Sequence, residues 1–474
     1  MRINESRYTK GAKLKKVFFS LILTAALLTG FIPYSVLAGE DISKNVEEVI
    51  SDVEEIEFAG EYLKSIMALI SNYYVDDVSL EELVKGAVSG MAGALDEYSE
   101  FLDADKFNKT IEDTTSEHVG MGISYYLDQE DGYPLITAVY EGSPAEIAGV
   151  KKGDILISVD GMDIKGKDGD EITSFVSGKK GKTVKVIVRR EGKNEEFSLK
   201  VDEFLAPTVF VSKIDELLQG LDKNKSDKVR YIQISSFADK TGQEFKKAVE
   251  KMKKQNVEGI ILDLRFNGGG VTQSAYEICE ILVKEGPFLN IKRKDGKYNV
   301  NSEDNNVPFN NIAILTNEAT ASASELVAAV LKDNGAAVVG SKTYGKGVTQ
   351  AIIELEELGA LKMTTEEFFP MSGRKINGVG IVPNYEVEQI KMIASDSADF
   401  QKDVETALKA LGYDIATNEK KSAVIKEIQN KYSLKETGEL DYSVISAINS
   451  EIINKNYKDD KVFEKAVEVL FGKL

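Results

Sequence analysis

Cysteine and histidine are almost missing from this 474-residue chain, which has one of each, Cys279 and His118. A single cysteine excludes an internal disulfide, and its place in the helical pattern Ala275–Val283 reads as a buried structural thiol. With one histidine, any Ser-His-Asp relay would have to be built on His118. Basic charge is also short: 59 Lys and Arg stand against 78 Asp and Glu, a net charge of −19. Nucleic acid is therefore excluded as a partner, because phosphates need a basic surface. The apolar run near the N-terminus, Val17–Phe31, is short for a membrane span. It follows Arg2, Arg7, Lys10, Lys13, Lys15 and Lys16 and precedes Ser35-Val36-Leu37-Ala38, the pattern of a secretory signal cut after Ala38. An uncleaved membrane anchor is the other reading. Both place the rest of the chain outside the cytoplasm, secreted or tethered to the outer face of the cytoplasmic membrane.

What the chain does have is a stretch, residues 311–350, that reads as strand, helix, strand. Ile312–Thr316 is a short apolar run, followed by the small residues Ala319–Ser324. A helical segment from Glu325 to Lys332 then ends in Asp333-Asn334-Gly335, a C-cap signal. Ala336–Gly340 reads as a second buried strand, and Thr343–Gly347 as a glycine-flanked turn. Ser322 and Ser324 thus stand at a helix entrance, beside unpaired N–H groups that suit an oxyanion as well as a cap. Serine needs a base to take its proton. Lysine can serve if burial lowers its pKa from about 10.4 toward roughly 7–8. Lys346, between two glycines, is the candidate base, and Gln350 could hold its amine. The bland alternative is a run of caps and packing residues. Gly340, Gly345 and Lys346 also nearly complete a phosphate loop, but Gly347 stands where the magnesium-binding Ser or Thr belongs, so ATP is discarded. No cofactor or metal is expected.

The motif Thr320-Ala321-Ser322-Ala323-Ser324-Glu325, with Thr343-x-Gly-Lys-Gly-x-x-Gln350, resembles the C-terminal processing peptidases, serine proteases with a Ser/Lys dyad. The resemblance implies Ser322 as nucleophile, Lys346 as base and Gln350 as its orienting partner. Two departures stand out: Thr320 replaces the usual Ser, and the segment between serine and lysine is one residue short near Asn334–Ala337. Asp263-Leu264-Arg265-Phe266-Asn267-Gly268-Gly269-Gly270 resembles the family's oxyanion loop, which implies Gly268 or Gly269 and Ala323 as N–H donors. The closing segment Phe369–Pro383 also matches, although Asn384 follows where Asp is usual.

Along the chain, the expected organisation is a signal or anchor (1–38), a helical arm (39–115), a β-rich domain (116–205), an α/β core (206–390) and a helical C-terminal domain (391–474). The arm shows helical spacing at Val46, Val49, Val53 and Ile56 and reads as a packing or homodimerisation element. Residues 119–201 resemble a PDZ domain, carried by Gly142-Ser143-Pro144-Ala145 and Gly153-Asp154-Ile155-Leu156. The resemblance implies that Gly120, Met121, Gly122 and Ile123 form a loop for the carboxylate of an incoming chain end, against the plain alternative of a glycine turn. His118, just before it, reads as solvent-exposed. In the core, apolar runs alternate with helical patterns, which means largely parallel strands. The resemblance sharpens this to a crotonase-like (ClpP/crotonase) α/β fold. The tail, with Ile428-Gln429 and Thr437-Gly438, loosely resembles a peptidoglycan-binding domain; a plain helical appendage is the alternative. Deleting residues after about Asp396 is expected to spare cleavage of soluble peptides. Substrates are expected to be proteins with free, apolar C-termini. The rivals are a trypsin-like PDZ protease, which fails with His118 alone, and a catalytically silent PDZ scaffold.

Overall fold

The computed structural model describes residues 42–127, 132–167, 169–303, 307–355, 358–393, 399–432 and 434–473. The expected signal segment lies outside the described residues. Two compact units, residues 1–87 and 88–474, are taken separately. In the first, helix Ile42–Tyr73 presents Phe58, Tyr62, Leu69 and Tyr73 as exposed apolar side chains.

The second unit is organised on a six-stranded sheet in the order Val209–Lys213, Val229–Ile234, Gly259–Asp263, Asn311–Thr316, Ala337–Gly340 and Tyr385–Glu386. The first pair is antiparallel and the remaining pairs are parallel, as the alternating apolar runs predict. Parallel strands bury both faces, and alternate residues go to opposite cores. Ile260, Leu262, Ile312, Ile314 and Val338 face helices Thr241–Lys254, Thr272–Leu282 and Ala323–Asp333. Ile261, Ala313, Leu315 and Val339 face the other way, onto Val462, Phe463, Ala466, Val467 and Leu470 of the last helix, Lys461–Phe471.

That helix corrects the expected boundary at residue 390. Helices Phe400–Leu411, Asn418–Lys431 and Tyr442–Lys458 share a core of their own, but the fourth belongs to the central sheet. Four apolar strand residues need a cover, and residues 461–471 supply it.

A second, antiparallel sheet joins Glu100–Leu102, Ala360–Pro370, Gly286–Arg293 and Gly296–Ser302, with Val348–Glu354 pairing onto Ala360–Pro370. It brings the end of the helical arm beside the segment that follows Lys346. The β-rich module has strands Ile123–Leu127, Pro134–Val139, Ile155–Val159, Thr183–Arg190 and Lys193–Lys200 and its own apolar core. Helix Pro144–Ala148 starts at the N-cap Ser143, with proline in its first turn. Chain entry and exit of the module run side by side as the ribbon Glu117–Gly120 with Asp202–Leu205. Ser116 at its base donates its N–H to Asp239 Oδ1 at 2.7 Å.

Candidate active site

Ser322 is the N-cap of helix Ala323–Asp333 and holds a strained backbone, φ 55° and ψ −118°. A non-glycine residue at positive φ is held there only when its surroundings over-determine it. Those surroundings include Gly269, at φ 100°, on which a Cβ would fall 2.8 Å from Ser322 Cβ and 2.9 Å from the Ala323 nitrogen. The glycine loop therefore abuts the serine directly. Asn267 ties them together: its carbonyl accepts from Ala321 N–H (3.1 Å) and from the Ser324 hydroxyl (2.9 Å).

The three hydroxyls of the run separate on this geometry. Thr320 donates to Leu264 O at 2.8 Å, and Ser324 is fully buried with its hydroxyl spent on Asn267. Among the described residues, the Ser322 hydroxyl donates to none. The oxyanion donors also separate. Gly269 N–H is taken by Asn267 Oδ1 at 2.9 Å, which removes it from the candidate donors. The N–H groups of Gly268 and Ala323 have no acceptor among the described residues.

Glu325, for which the sequence predicts only a place in a helix, is the centre of the arrangement. It is fully buried, and its Oε2 accepts from Ser322 N–H (3.0 Å) and Lys346 N–H (2.7 Å). Its Oε1 accepts from Gly345 N–H (2.7 Å) and the Thr343 hydroxyl. One carboxylate thus fixes the backbones of both expected dyad members. Burial raises its pKa, against the lowering effect of these four donors. The only sequence signal was the spacing Ser322-x-x-Glu325, a capping-box pattern.

Lys346 has its amine pushed below the ordinary lysine range, by burial first and by the charge of Lys362 second; Asp96, Glu100 and Glu325 oppose this. Among the described residues no hydrogen bond joins its Nζ to Ser322. The amine instead lies 4.9 Å from the centre of the Tyr98 ring. The expected bond from Gln350 to the lysine is not formed either. Gln350 Nε2 donates to Thr364 Oγ1 (3.0 Å), its cross-strand partner. Thr364 N–H donates to Ser99 Oγ (3.0 Å), which in turn donates to Asp96 Oδ1 (2.6 Å). Gln350 therefore supports the turn that carries Tyr98, rather than the amine itself.

In the β-rich module, Gly122 has φ 75° and a Cβ there would collide with Ser143 at 2.2 Å, so the residue must be glycine. The Met121 side chain is buried, and the N–H groups of Met121 and Gly122 have no acceptor among the described residues. Ile123 begins the strand that borders this loop. His118 is half-buried, its ring centre 6.0 Å from that of Phe204, so the expectation of an exposed histidine is corrected. Cys279 is fully buried as expected, and burial pushes its thiol pKa up.

Comparison with known proteins yields three family matches: Peptidase family S41 over residues 228–387, PDZ domain over 135–190, and Activating protease CtpB N-terminal domain over 33–106. The chain is 30% identical to the carboxy-terminal processing protease CtpA of Bacillus subtilis (strain 168), over 96% of this chain and 98% of that one. It is 30% identical to CtpB of the same organism, over 87% and 89%. A probable CtpA-like serine protease of Staphylococcus haemolyticus (strain JCSC1435) is 28% identical over 98% and 95%.

Proposed function

Because the chain belongs to the C-terminal processing peptidases of family S41, with a PDZ domain ahead of the peptidase domain, we propose that it cleaves peptide bonds with a Ser322/Lys346 dyad on a crotonase-like core. The observation that carries this is the shared carboxylate: Glu325 holds the Ser322 and Lys346 N–H groups on one oxygen. Neutral Lys346 leaves the Tyr98 ring and takes the Ser322 proton as Oγ attacks the scissile carbonyl. The oxyanion that forms accepts from the Gly268 and Ala323 N–H groups. The lysine ammonium then protonates the leaving amine, and water hydrolyses the acyl-enzyme by the same proton route in reverse. No step needs a metal or cofactor.

Substrates are extracytoplasmic proteins with free, apolar C-termini, bound as an added strand with the carboxylate on Gly120–Ile123. The helical arm serves homodimerisation, and the three helices Phe400–Leu411, Asn418–Lys431 and Tyr442–Lys458 contact peptidoglycan. The deciding experiment is incubation of the purified chain with unstructured polypeptides that differ in their last three residues. Apolar free ends should be cut faster than amidated or acidic ones. Ser322→Ala and Lys346→Ala should each remove nearly all cleavage, whereas Ser324→Ala should keep activity within about tenfold, because its hydroxyl makes one backbone hydrogen bond of about 1 kcal/mol. Cleavage of no tail at all would return the silent-scaffold reading, and full activity in Ser322→Ala would rule out Ser322 as the nucleophile.

A further inference from the structure

We infer that Asp460 and Tyr457, at the junction of the last two helices, are positioning residues that hold the root of the oxyanion loop; the inference rests on the peptidase reading above. Arg265 lies two residues before Asn267 and its side chain is fully buried. Its Nε and Nη2 donate to Asp263, which also accepts from the Tyr231 hydroxyl at 2.6 Å. That leaves one edge of the guanidinium. Asp460 fills it with a two-point bond, Nη1 to Oδ1 at 2.7 Å and Nη2 to Oδ2 at 2.8 Å. Such fork-shaped pairs fix orientation as well as charge. Tyr457 stacks on the same guanidinium at 4.7 Å and lies against the Phe266 ring at 5.7 Å.

Phe266 is the residue that turns the strand into the loop, at φ 61°. Its N–H is held by Asn317 Oδ1 at 2.9 Å, and Asn267 follows with its bonds to Ala321, Ser324 and Gly269. Gly268, the free donor, is next. A strained turn keeps its shape only while both flanks are held. On one flank the serine loop holds Asn267; on the other, residues 457 and 460 hold Arg265 and Phe266. Asp460 is at once the N-cap of helix Lys461–Phe471, accepting from Phe463 N–H at 2.9 Å, so the clamp is anchored in the helix that covers the sheet.

The test uses the full chain with Asp460→Asn, which keeps a capping oxygen but loses the charge and half of the fork, and Tyr457→Leu as a second variant. Asp459→Asn, an exposed neighbour paired with Lys455, is the control. Amide hydrogen exchange over residues 264–271 should accelerate about tenfold or more in both variants and not in the control, the loop opening locally while the core stays shut. On a peptide that wild type cuts, kcat should fall about ten- to a hundredfold with KM within about twofold, the pattern of a lost transition-state contact. Unchanged exchange in the loop overturns the inference, as does unchanged kcat with a lowered melting point, which would leave Asp460 as a structural staple. If wild type cuts nothing, the peptidase reading falls, and the exchange measurement alone decides whether these residues hold the loop.

Discussion

Replacing Glu325 by Gln is the most searching perturbation of the site. The substitution preserves shape and turns one acceptor oxygen into a donor inside a cluster of four donors. The less costly orientation points the new NH2 at Thr343, whose hydroxyl turns to accept, and leaves Gly345 N–H buried without a partner. One buried unpaired donor costs about 1–3 kcal/mol. The bonds from Ser322 and Lys346 to the remaining oxygen lose their charge assistance, about 1 kcal/mol more for the pair. Relief of the buried charge offsets part of this, because burial already raises the carboxyl pKa. The net loss is then about 2 kcal/mol, or roughly 2–3 °C in melting midpoint for a unit as large as residues 88–474. The sign with pH follows from the same shift. The folded pKa lies above the unfolded one, so this group's contribution to stability falls as pH rises between the two. Since one carboxylate sets the spacing of nucleophile and base, kcat/KM should fall about a hundredfold, as a misplacement of about 1 Å does. Thermal unfolding and peptide cleavage check both. A Glu325→Gln protein with wild-type midpoint and wild-type kcat/KM would refute the argument that this carboxylate assembles the site.

Three further outcomes follow from the structure. Activity should rise with pH to a plateau, with a midpoint below the ordinary lysine value of about 10.4, because the base must be neutral and burial already disfavours its charge. Tyr98→Leu keeps an apolar neighbour but removes the ring face that favours the ammonium, a contact of about 0.5–1 kcal/mol. The midpoint of the pH–rate curve should therefore drop by roughly half a unit; an upward shift would sink the idea that the ring holds the protonated lysine. Truncation at Asp460 should give an insoluble or unfolded chain, in contrast to the benign deletion that the sequence suggests, because it uncovers Ile261, Ala313, Leu315 and Val339 together. A soluble, folded truncated protein on gel filtration and circular dichroism would show that the last helix is dispensable.

Features that depend on neighbours a few residues apart are readable from the order of residues. The apolar runs at Ile312–Thr316 and Ala336–Gly340 and the helix entrance at Ser322 are set by local periodicity and capping chemistry. They were therefore legible before any contact was known. The glycines at 122 and 269 were legible as a pattern too, although only the fold showed which side chain and which serine each must clear. Tertiary structure alone decided the rest. Nothing local says that Tyr98 faces Lys346, because that contact exists only once Glu100–Leu102 pairs with Ala360–Pro370. Gln350 looked like a partner for the lysine, four residues away in the sequence. On an extended strand its partner is instead the residue directly opposite, Thr364. Glu325 carried a capping signal, but a cap binds the nearest N–H groups, and its bonds to Gly345 and Lys346 needed the turn after strand Ala337–Gly340 to fold back on the helix. The last helix has an apolar face like any amphipathic segment. Which surface that face covers is settled by the two-sided burial of a parallel sheet, and so Asp460 reaches Arg265 from the far end of the chain.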